Sequence, residues 1–413
     1  MKKIILTFFI IFFTSCIHAA VELTGPGAIE NVAGIAGKRG FSGDSLDALE
    51  ARLASPLGIA VDRWNNIYIA DTLNHRIRYI EVRTGRIYTV AGTGKPGFFN
   101  DGGNADMAGL RGPTGLAIDH HGNLYIADTG NHRIRMLTPK GYLHTIAGNG
   151  SRGYEGEGSR AKATALNNPT AVAINSRGEI FIADTGNHRI RKIDRTTGIL
   201  TTVVGKGEAG DDGDFGLAGN ARLNKPSAII FDKHDNLYIA DTKNHKIRFV
   251  DSIKNLIFTF AGNGKSGFCG DNNYGRTGDI CFNDPTGLAL DRFGRLYVSD
   301  TDNQRIRRIR INVKERRGEA ETVVGSGERG YNGANMNAWD VSLAYPGAMA
   351  ISPLDMLYFL DTGNNVVRRV QAISRVRPPT SYSAFGKNTQ AVDSRSFYEV
   401  LFKPQLEKIQ SGN

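Results

Sequence analysis

Four histidines recur at nearly equal spacing and would ligate a metal ion if they met at one point. They are His75, His132, His188 and His245. The fifth and sixth equivalent positions hold Gln304 and Asn365, whose amides can replace a hydrogen-bonding imidazole but are poor metal ligands. Zinc–nitrogen bonds need about 2 Å, whereas equivalent points on a ring of six units lie on the order of 10 Å or more apart unless they face the axis. We therefore predict no metal site here and assign these side chains to structural hydrogen bonds.

An aspartate and an arginine also recur together in every unit. The aspartates are Asp71, Asp128, Asp184, Asp241, Asp300 and Asp361, and the arginines are Arg78, Arg135, Arg191, Arg248, Arg307 and Arg368. One interpretation is a ring of charges that binds a ligand. The other is that each carboxylate accepts bonds from backbone amides or from an arginine and ties neighbouring strands or units together. We favour the second, because a ligand site rarely needs six identical copies. Such pairing would depress the pKa of these carboxyls.

Five glycine-rich segments have the spacing of a dinucleotide-binding loop. They begin at Gly92, Gly148, Gly205, Gly262 and Gly325. A dinucleotide site needs this pattern between a strand and a long helix, with an acidic residue about twenty positions later. Here the pattern occurs once per unit and leads from a strand into a loop. The glycines therefore serve turns, and we predict no cofactor and no catalytic residue.

These residues belong to a repeat that predicts the fold. The repeated aspartates are 56 to 61 residues apart, and each unit holds four apolar runs of four to six residues separated by Gly, Asn, Asp or Pro. Runs of this length and punctuation are typical of strands. The chain is therefore predicted to be all-β, a six-bladed β-propeller of four-stranded antiparallel blades. About twenty residues separate each outer strand from the next inner strand, and short Ala/Leu stretches predict one helical turn in each such insertion.

The repeated units resemble the NHL-repeat family of β-propellers, and bacterial exported members in particular. The resemblance rests on the segment Asp-Thr-x-Asn-His-Arg-Ile-Arg and the preceding Gly-Asn-Leu-Tyr-Ile-Ala, and it covers about residues 28–371. It implies the propeller fold. It implies no single activity, since the family includes RNA-binding modules, sensor domains, adhesion modules and a metal-dependent lyase, whose catalytic set finds no match here.

The ends of the chain suggest three regions. Residues 1–20 are predicted to be a signal peptide, because two lysines precede a ten-residue apolar run that is too short to span a bilayer. Residues 21–371 would form the propeller, and residues 372–413 a C-terminal extension with a short helix. Residues 31–41 match residues 89–98, so the N-terminal part should carry an isolated outer strand that pairs with the last blade and closes the ring. Residues 380–386 are a rival closing strand, and the sequence does not decide between them.

Export determines how the three cysteines are interpreted. The chain is expected to be exported, to the periplasm or outside the cell, and an alternative reading makes Cys16 the lipidated residue of a lipoprotein. Cys269 and Cys281 lie twelve residues apart in one polar loop. In an oxidising compartment a disulfide between them is expected.

Variable charged and aromatic residues near the glycine pairs are the candidates for partner binding. They are Phe98, Arg152, Tyr154, Phe215, Phe268, Arg329 and Tyr331. Because binding sites often lie on variable loops over a rigid framework, we predict a non-enzymatic binding or scaffold module that recognises a protein or polysaccharide through its loop-rich face. The alternative reading has each aromatic ring packing its own loop down. An alternative function is a metal-assisted lyase or hydrolase with its site at the central channel.

The positive charge of the chain does not change this prediction. The formal net charge is +10, which could indicate nucleic acid. The arginines, however, occupy repeated strand positions, and an exported chain rarely meets RNA. We therefore predict no nucleic-acid partner, and membrane attachment only if Cys16 is lipidated.

Overall fold

A computed structural model describes residues 27–271, 277–312 and 317–371. Within these ranges the chain forms twenty-five β-strands and eleven single-turn 3₁₀ helices. The strands build six antiparallel sheets around one axis, which confirms the predicted six-bladed propeller. The predicted signal peptide, Cys16, the rival closing strand at 380–386 and the C-terminal extension lie outside the described residues. Each described helix has three residues, too few to cross a membrane.

The strands follow one another from the axis outwards in each blade. Blade 1 contains β2 (Gly58–Val61), β3 (Ile67–Asp71), β4 (Arg76–Glu81) and β5 (Arg86–Ala91). Blade 2 contains β6 (Pro113–Ile118), β7 (Leu124–Asp128), β8 (Arg133–Leu137) and β9 (Leu143–Ala147). Blade 3 contains β10 (Ala171–Ile174), β11 (Ile180–Asp184), β12 (Arg189–Ile193) and β13 (Leu200–Val204). Blade 4 contains β14 (Pro226–Phe231), β15 (Leu237–Asp241), β16 (Lys246–Val250) and β17 (Ile257–Ala261). Blade 5 contains β18 (Pro285–Leu290), β19 (Leu296–Asp300), β20 (Arg305–Asn312) and β21 (Arg317–Val324).

Blade 6 is assembled from both ends of the described chain. Its inner strands are β23 (Pro346–Ile351), β24 (Met356–Asp361) and β25 (Val366–Gln371), and its outer strand is β1 (Ala28–Ala33). Glu30 pairs with Arg369 across β1 and β25. A two-residue strand, β22 (Met336–Asn337), adds to the outer edge of β1. The N-terminal strand therefore closes the ring, as the first of the two readings predicted.

Two kinds of 3₁₀ turn recur around the ring. One kind joins the second and third strands of every blade, at Thr72–Asn74, Thr129–Asn131, Thr185–Asn187, Thr242–Asn244, Thr301–Asn303 and Thr362–Asn364. The other lies inside the insertions, at Ala48–Glu50, Ala105–Met107, Ala161–Ala163, Ala218–Asn220 and Thr277–Asp279. The second set confirms the predicted helical turn in five insertions.

The connections divide the propeller into two faces, because neighbouring strands are antiparallel. We call the side that carries the second-to-third-strand turns, and on which each insertion begins and ends, the insertion face. The opposite side carries the hairpin turns between first and second strands and between third and fourth strands, and we call it the turn face. The hydrophobic core lies between blades: one buried cluster joins Ala70 and Ile77 of blade 1 to Leu124 and Ile126 of blade 2. Both faces of a blade are therefore covered, which explains why the strands are continuous apolar runs.

The inner strands approach one another so closely that a methyl group matters. A Cβ atom on Gly58 would lie 1.8 Å from the backbone carbonyl oxygen of Thr114 in the next blade. We expect Gly58→Ala to lower the free energy of unfolding by about 1–3 kcal/mol, the usual cost of overpacking, in urea denaturation. Ala171 already occupies the equivalent position in blade 3, so Ala171→Gly is the matched control, with a cost of about 0.5–1 kcal/mol. A Gly58→Ala protein as stable as the wild type would contradict this account.

Candidate functional site

The repeated aspartate is buried at the centre of a hydrogen-bonded node in each blade. In blade 3, Asp184 ends β11, and its Oδ1 accepts the N–H of Asn167 at 2.7 Å. Its Oδ2 accepts bonds from Asn187 Nδ2 at 2.8 Å and Arg191 Nη1 at 3.2 Å. The other terminal nitrogen of Arg191 contacts Glu157 Oε2 at 2.8 Å. The side chains of Asp184 and Arg191 are fully buried, so neither is available to a ligand.

The same node is built in all six blades. The six aspartates and their arginines are Asp71–Arg78, Asp128–Arg135, Asp184–Arg191, Asp241–Arg248, Asp300–Arg307 and Asp361–Arg368. The expectation that pairing depresses the pKa of these carboxyls is wrong. Burial raises the pKa of every one, to about 6 for Asp241 and Asp300, because desolvation outweighs the hydrogen bonds and the arginine charge.

The repeated histidines link each blade to the next. His75 has a left-handed backbone at the end of the turn Thr72–Asn74, and its Nδ1 accepts the N–H of Gly112 in blade 2 at 3.1 Å. The corresponding pairs are His132–Asn168, His188–Lys225 and His245–Asp284, at 3.1 to 3.2 Å. At the last two interfaces the amide oxygens of Gln304 and Asn365 accept the N–H groups of Tyr345 and Ser55. Each imidazole thus serves a different blade interface, and among the described residues no three His, Cys, Asp or Glu side chains are grouped to hold a metal.

A second belt of inter-blade bonds lies next to the axis. The threonine after each repeated aspartate donates its hydroxyl proton to the carbonyl of a proline that lies at, or two residues before, the start of the inner strand of the next blade. The pairs are Thr72–Pro113, Thr129–Pro169, Thr185–Pro226, Thr242–Pro285, Thr301–Pro346 and Thr362–Pro56, all at 2.7 to 2.9 Å. The last pair spans the point where the ring closes. Two side-chain latches therefore hold every blade interface.

Three of the aromatic residues predicted to bind a partner, Phe98, Tyr154 and Phe268, lie over arginines of the blade whose inner strand follows their insertion. The ring centre of Phe98 is 3.6 Å from the guanidinium carbon of Arg133 and 5.0 Å from that of Arg135. Phe41, Tyr154 and Phe268 stack in the same way on arginines of β4, β12 and β20, at 3.7 to 4.0 Å from the nearer guanidinium. Phe98 and Phe268 nevertheless remain 40 % and 43 % exposed. Each ring is therefore immobilised by cation–π contacts while part of it faces solvent.

The other candidate residues are placed differently. In blade 4, Asp211 and Lys246 form an ion pair of 2.9 Å where the other blades stack a ring on arginine. Phe215 instead packs edge-on against Phe258 at the outer edge of the blade. The remaining three candidates lie in insertions: Arg152 donates to Asn167, Arg329 lies over the Tyr345 ring, and the Tyr331 hydroxyl accepts a bond from Asn31. The structure thus does not gather the seven residues into one site. It does place five aromatic rings at equivalent points of the insertion face, namely Phe41, Phe98, Tyr154, Phe268 and Tyr331.

The insertions have a role that the sequence did not predict. We assign each insertion to the blade whose inner strand follows it. After its first glycines, each insertion runs along the outer strand of that blade. In blade 4, Phe215 N–H donates to Ile257 O and Ile257 N–H donates to Gly216 O, at 2.8 and 3.0 Å. An uncovered outer strand is an open sheet edge that invites pairing with other chains. The insertions therefore cover the open edges of the sheets. The signal that would have indicated this role is the regular pairing of each insertion with an outer strand.

The predicted disulfide is present. Cys269 and Cys281 are bonded, with Cα atoms 4.8 Å apart. The carbonyl oxygens of both cysteines accept bonds from Arg307, at 2.8 Å. The disulfide therefore holds the fifth insertion against the buried node of blade 5.

Comparison with known proteins identifies the repeat. A family model described as NHL repeat matches residues 110–136 and 166–193, and one described as Teneurin NHL domain matches residues 263–411. The chain is 30 % identical over 295 residues to Protein SUPPRESSOR OF QUENCHING 1, chloroplastic, of Arabidopsis thaliana, covering 68 % of this chain and 27 % of that protein. It is 30 % identical over 298 residues to human NHL repeat-containing protein 2, covering 64 % and 40 % respectively. The chain is an NHL-repeat β-propeller.

The relatives of this NHL propeller are longer than the chain itself. It spans 27 % and 40 % of the length of the two relatives named above, and 8 % to 9 % of the length of the teneurins that it also matches. Among solved structures it resembles a structural genomics protein of unknown function from Bacteroides thetaiotaomicron, with a TM-score of 0.58, 15 % identity, and 83 % and 75 % of the two chains covered. An auxiliary nutrient binding protein from the same organism gives 0.57, 14 %, 83 % and 75 %. At these identities the likeness shows the fold alone.

The axis of the NHL propeller contains a small cavity of about 90 Å³. It lies in the first half of the inner strands, the half next to the insertion face. Its described lining consists of apolar side chains, glycines and the hydroxyls of Thr170, Ser227 and Thr286. None of these lining residues can act as an acid, a base or a strong metal ligand at neutral pH.

Proposed function

We propose that this NHL propeller is a non-enzymatic extracytoplasmic binding or scaffold module that recognises a protein or glycan partner through its insertion face. The observation that carries the proposal is a set of four partly exposed aromatic rings, each held on two arginines: Phe41, Phe98, Tyr154 and Phe268. A ring that is already fixed loses little conformational freedom when a partner covers it. The rings therefore form a prepared binding surface.

The surroundings of these rings support binding in preference to chemistry. The Tyr154 hydroxyl donates a hydrogen bond to Glu157, and the Glu157 carboxylate is paired with the buried Arg191. The polar groups beneath the rings are therefore engaged in the framework. The alternative lyase or hydrolase at the central channel has no comparable support, because the described cavity lining offers no ionisable side chain.

Two further points agree with this proposal. The predicted signal peptide would carry the chain out of the cytoplasm, where the disulfide between Cys269 and Cys281 is stable. One structural neighbour is described as an auxiliary nutrient binding protein, so a propeller of this shape is compatible with a binding role.

Conservative changes at two rings test the proposal. We expect Phe98→Leu and Phe268→Leu each to weaken partner binding about tenfold or more, the usual effect of truncating a central aromatic contact. The matched controls are Phe98→Tyr and Phe268→Tyr, because Tyr154 and Tyr331 already occupy equivalent positions; they should bind like the wild type. The assay is co-sedimentation with insoluble peptidoglycan, titration with neutral and acidic polysaccharides, and cross-linking to envelope proteins. Leucine variants that bind as tightly as the wild type would count against the insertion face.

A further inference from the structure

Three of the four most exposed large apolar side chains among the described residues lie on the turn face. Ile253 is 83 % exposed, Leu354 68 % and Trp64 60 %. Each lies at the tip of a hairpin turn: Trp64 and Leu354 between the first and second strands of blades 1 and 6, and Ile253 between the third and fourth strands of blade 4. Val82 occupies the equivalent tip in blade 1 and is 38 % exposed. Trp64 and Leu354 lie on adjacent blades, and the exposure of these tips is the apolar part of the argument for a contact surface on the turn face.

Cationic side chains accompany these apolar tips. Arg63 lies over the Trp64 ring at 4.1 Å. The side chain of Arg83, next to Val82, is 83 % exposed, and those of Arg177 and Arg292 on neighbouring hairpins are 68 % and 63 % exposed. Each of the last three also contacts a carboxylate, but surface pairs of this kind are weak and exchange readily with other anions.

The carboxylates of the same hairpins are turned towards the protein. Asp62 Oδ1 accepts the N–H groups of Trp64 and Asn66, both at 2.8 Å. Asp291 is buried and accepts the N–H groups of Phe293 and Arg295 in the same way. These bonds shape the turns and leave the cationic and apolar side chains at the tips. At these two hairpins the cationic and apolar side chains therefore lie outermost, and the carboxylates lie beneath them.

The N-terminal part of the chain joins the propeller on this same face. β25 runs from the turn Thr362–Asn364 on the insertion face to the turn face, and β1 is antiparallel to it. β1 therefore begins at the turn face. Cys16, which is lipidated only in the alternative reading of the N-terminus, precedes Gly27 by eleven residues, a distance of at most about 35–40 Å when extended.

We propose that the turn face docks on the surface of a phospholipid bilayer. Trp64, Ile253 and Leu354 enter the headgroup region, where tryptophan is favoured, and the neighbouring cations contact lipid phosphates. The insertion face then points away from the membrane. This docking differs from the sequence-based prediction, which allowed membrane attachment only through a lipidated Cys16. It needs neither that lipid nor a partner on the insertion face, so it stands or falls separately from the proposed function.

The chain contains two tryptophans, which makes the test direct. Trp64 lies on the turn face, and Trp339 lies in the insertion of blade 6. In the full chain, Trp339→Phe leaves Trp64 as the reporter, and Trp64→Phe leaves Trp339. With vesicles of phosphatidylcholine and phosphatidylglycerol, we expect the Trp64 emission to shift to shorter wavelength and to be quenched by brominated lipid, while the Trp339 emission stays unchanged. Vesicles of phosphatidylcholine alone should give a smaller shift.

Both reporter proteins keep the same N-terminal segment, so binding through that segment alone is recognised. It would sediment the protein with vesicles and leave the emission of both tryptophans unchanged, which overturns the proposal. An equal response of both tryptophans would also overturn it. So would binding of a soluble anionic polysaccharide to this face without any binding of vesicles.

A second set of variants removes the apolar tips. Ile253→Ser together with Leu354→Ser should lower the affinity for the mixed vesicles at least tenfold. Met107→Ser is the matched control, because Met107 is 62 % exposed but lies in the insertion of blade 2. It should bind like the wild type. Equal vesicle affinity of the double variant and the control would refute docking by the turn face.

Discussion

Replacing Asp184 with alanine is expected to lower the free energy of unfolding by about 3–5 kcal/mol. The change leaves the buried Arg191 without the fully buried one of its two carboxylate partners. It also removes the acceptor of the Asn167 N–H and the Asn187 amide. Removing one partner of a buried charge pair is costly because the remaining charge stays desolvated. Urea denaturation followed by circular dichroism, with linear extrapolation, measures the change.

Two comparisons separate this mechanism from general damage. Asp106→Ala removes an exposed aspartate from the insertion of blade 2, and we expect it to leave the stability nearly unchanged. The double variant Asp184→Ala with Arg191→Met removes both charges and should recover part of the lost stability, since a buried pair is often replaceable by apolar groups. A single Asp184→Ala variant within 1 kcal/mol of the wild type would show that the node is not structural.

Blade 6, which closes the ring, allows the cost of removing the buried aspartate to be compared between two blades. In blade 3 the second terminal nitrogen of Arg191 still has Glu157, but in blade 6 that nitrogen of Arg368 bonds the carbonyl oxygen of Gly333. Asp361→Ala would therefore leave Arg368 with no carboxylate partner among the described residues. We expect its cost to exceed that of Asp184→Ala, because the buried guanidinium then lacks any compensating charge.

The repeat explains why the fold could be predicted from the sequence. Six copies of one segment at nearly constant spacing leave few architectures that bury each copy against the next. Strand length and turn residues then favour the propeller. The N-terminal outer strand was predictable because residues 31–41 resemble the outer-strand segments of the other units, and the start of this segment lies in β1. What decided between it and the rival at 380–386 was the register with β25, which depends on contacts far apart in the chain.

The site was predictable only in part, because the missing information is three-dimensional. The sequence indicated that His75 forms a structural bond but not that its acceptor nitrogen faces Gly112 of the next blade. It placed Phe98 in a variable loop but could not show the ring lying on Arg133 and Arg135. It also suggested depressed aspartate pKa values, because pairing is visible in a sequence and the degree of burial is not. The apolar tips of the turn face escaped notice because each is a single residue in a short turn.

Replacing three histidines with glutamine is expected to make the propeller more resistant to acid. The variant carries His75→Gln, His132→Gln and His188→Gln, and Gln304 already performs the same role between blades 5 and 6. A protonated imidazole has no free Nδ1 lone pair, so it cannot accept the backbone N–H of the next blade. Each lost acceptor costs about 1 kcal/mol, so the three latches together contribute about 3 kcal/mol.

The direction of the pH effect follows from the pKa shifts. Burial lowers the pKa of His75, His132 and His188 below 6.5, and nearby cations add to the effect. The cations are Arg76 and Arg111 for His75, Arg111, Arg133 and Arg152 for His132, and Lys225 and Arg189 for His188. The neutral latches therefore contribute fully above the unfolded pKa of about 6.5, and their contribution is lost as the pH falls through the lowered folded values.

The free energy of unfolding of the glutamine variant must be compared with that of the wild type at each pH. This is because protonation of the buried aspartates favours folding as the pH falls, whereas protonation of the histidines opposes it. The raised pKa values of the aspartates mean that the folded chain takes up protons more readily than the unfolded chain, which favours folding as the pH falls towards 4. This contribution is the same in the wild type and the glutamine variant and cancels. We expect equal stabilities near pH 8 and an advantage of the variant that grows from pH 6.5 to pH 4.5. An advantage that is constant with pH would show that glutamine packs better and that proton binding by the histidines does not control the blade interfaces.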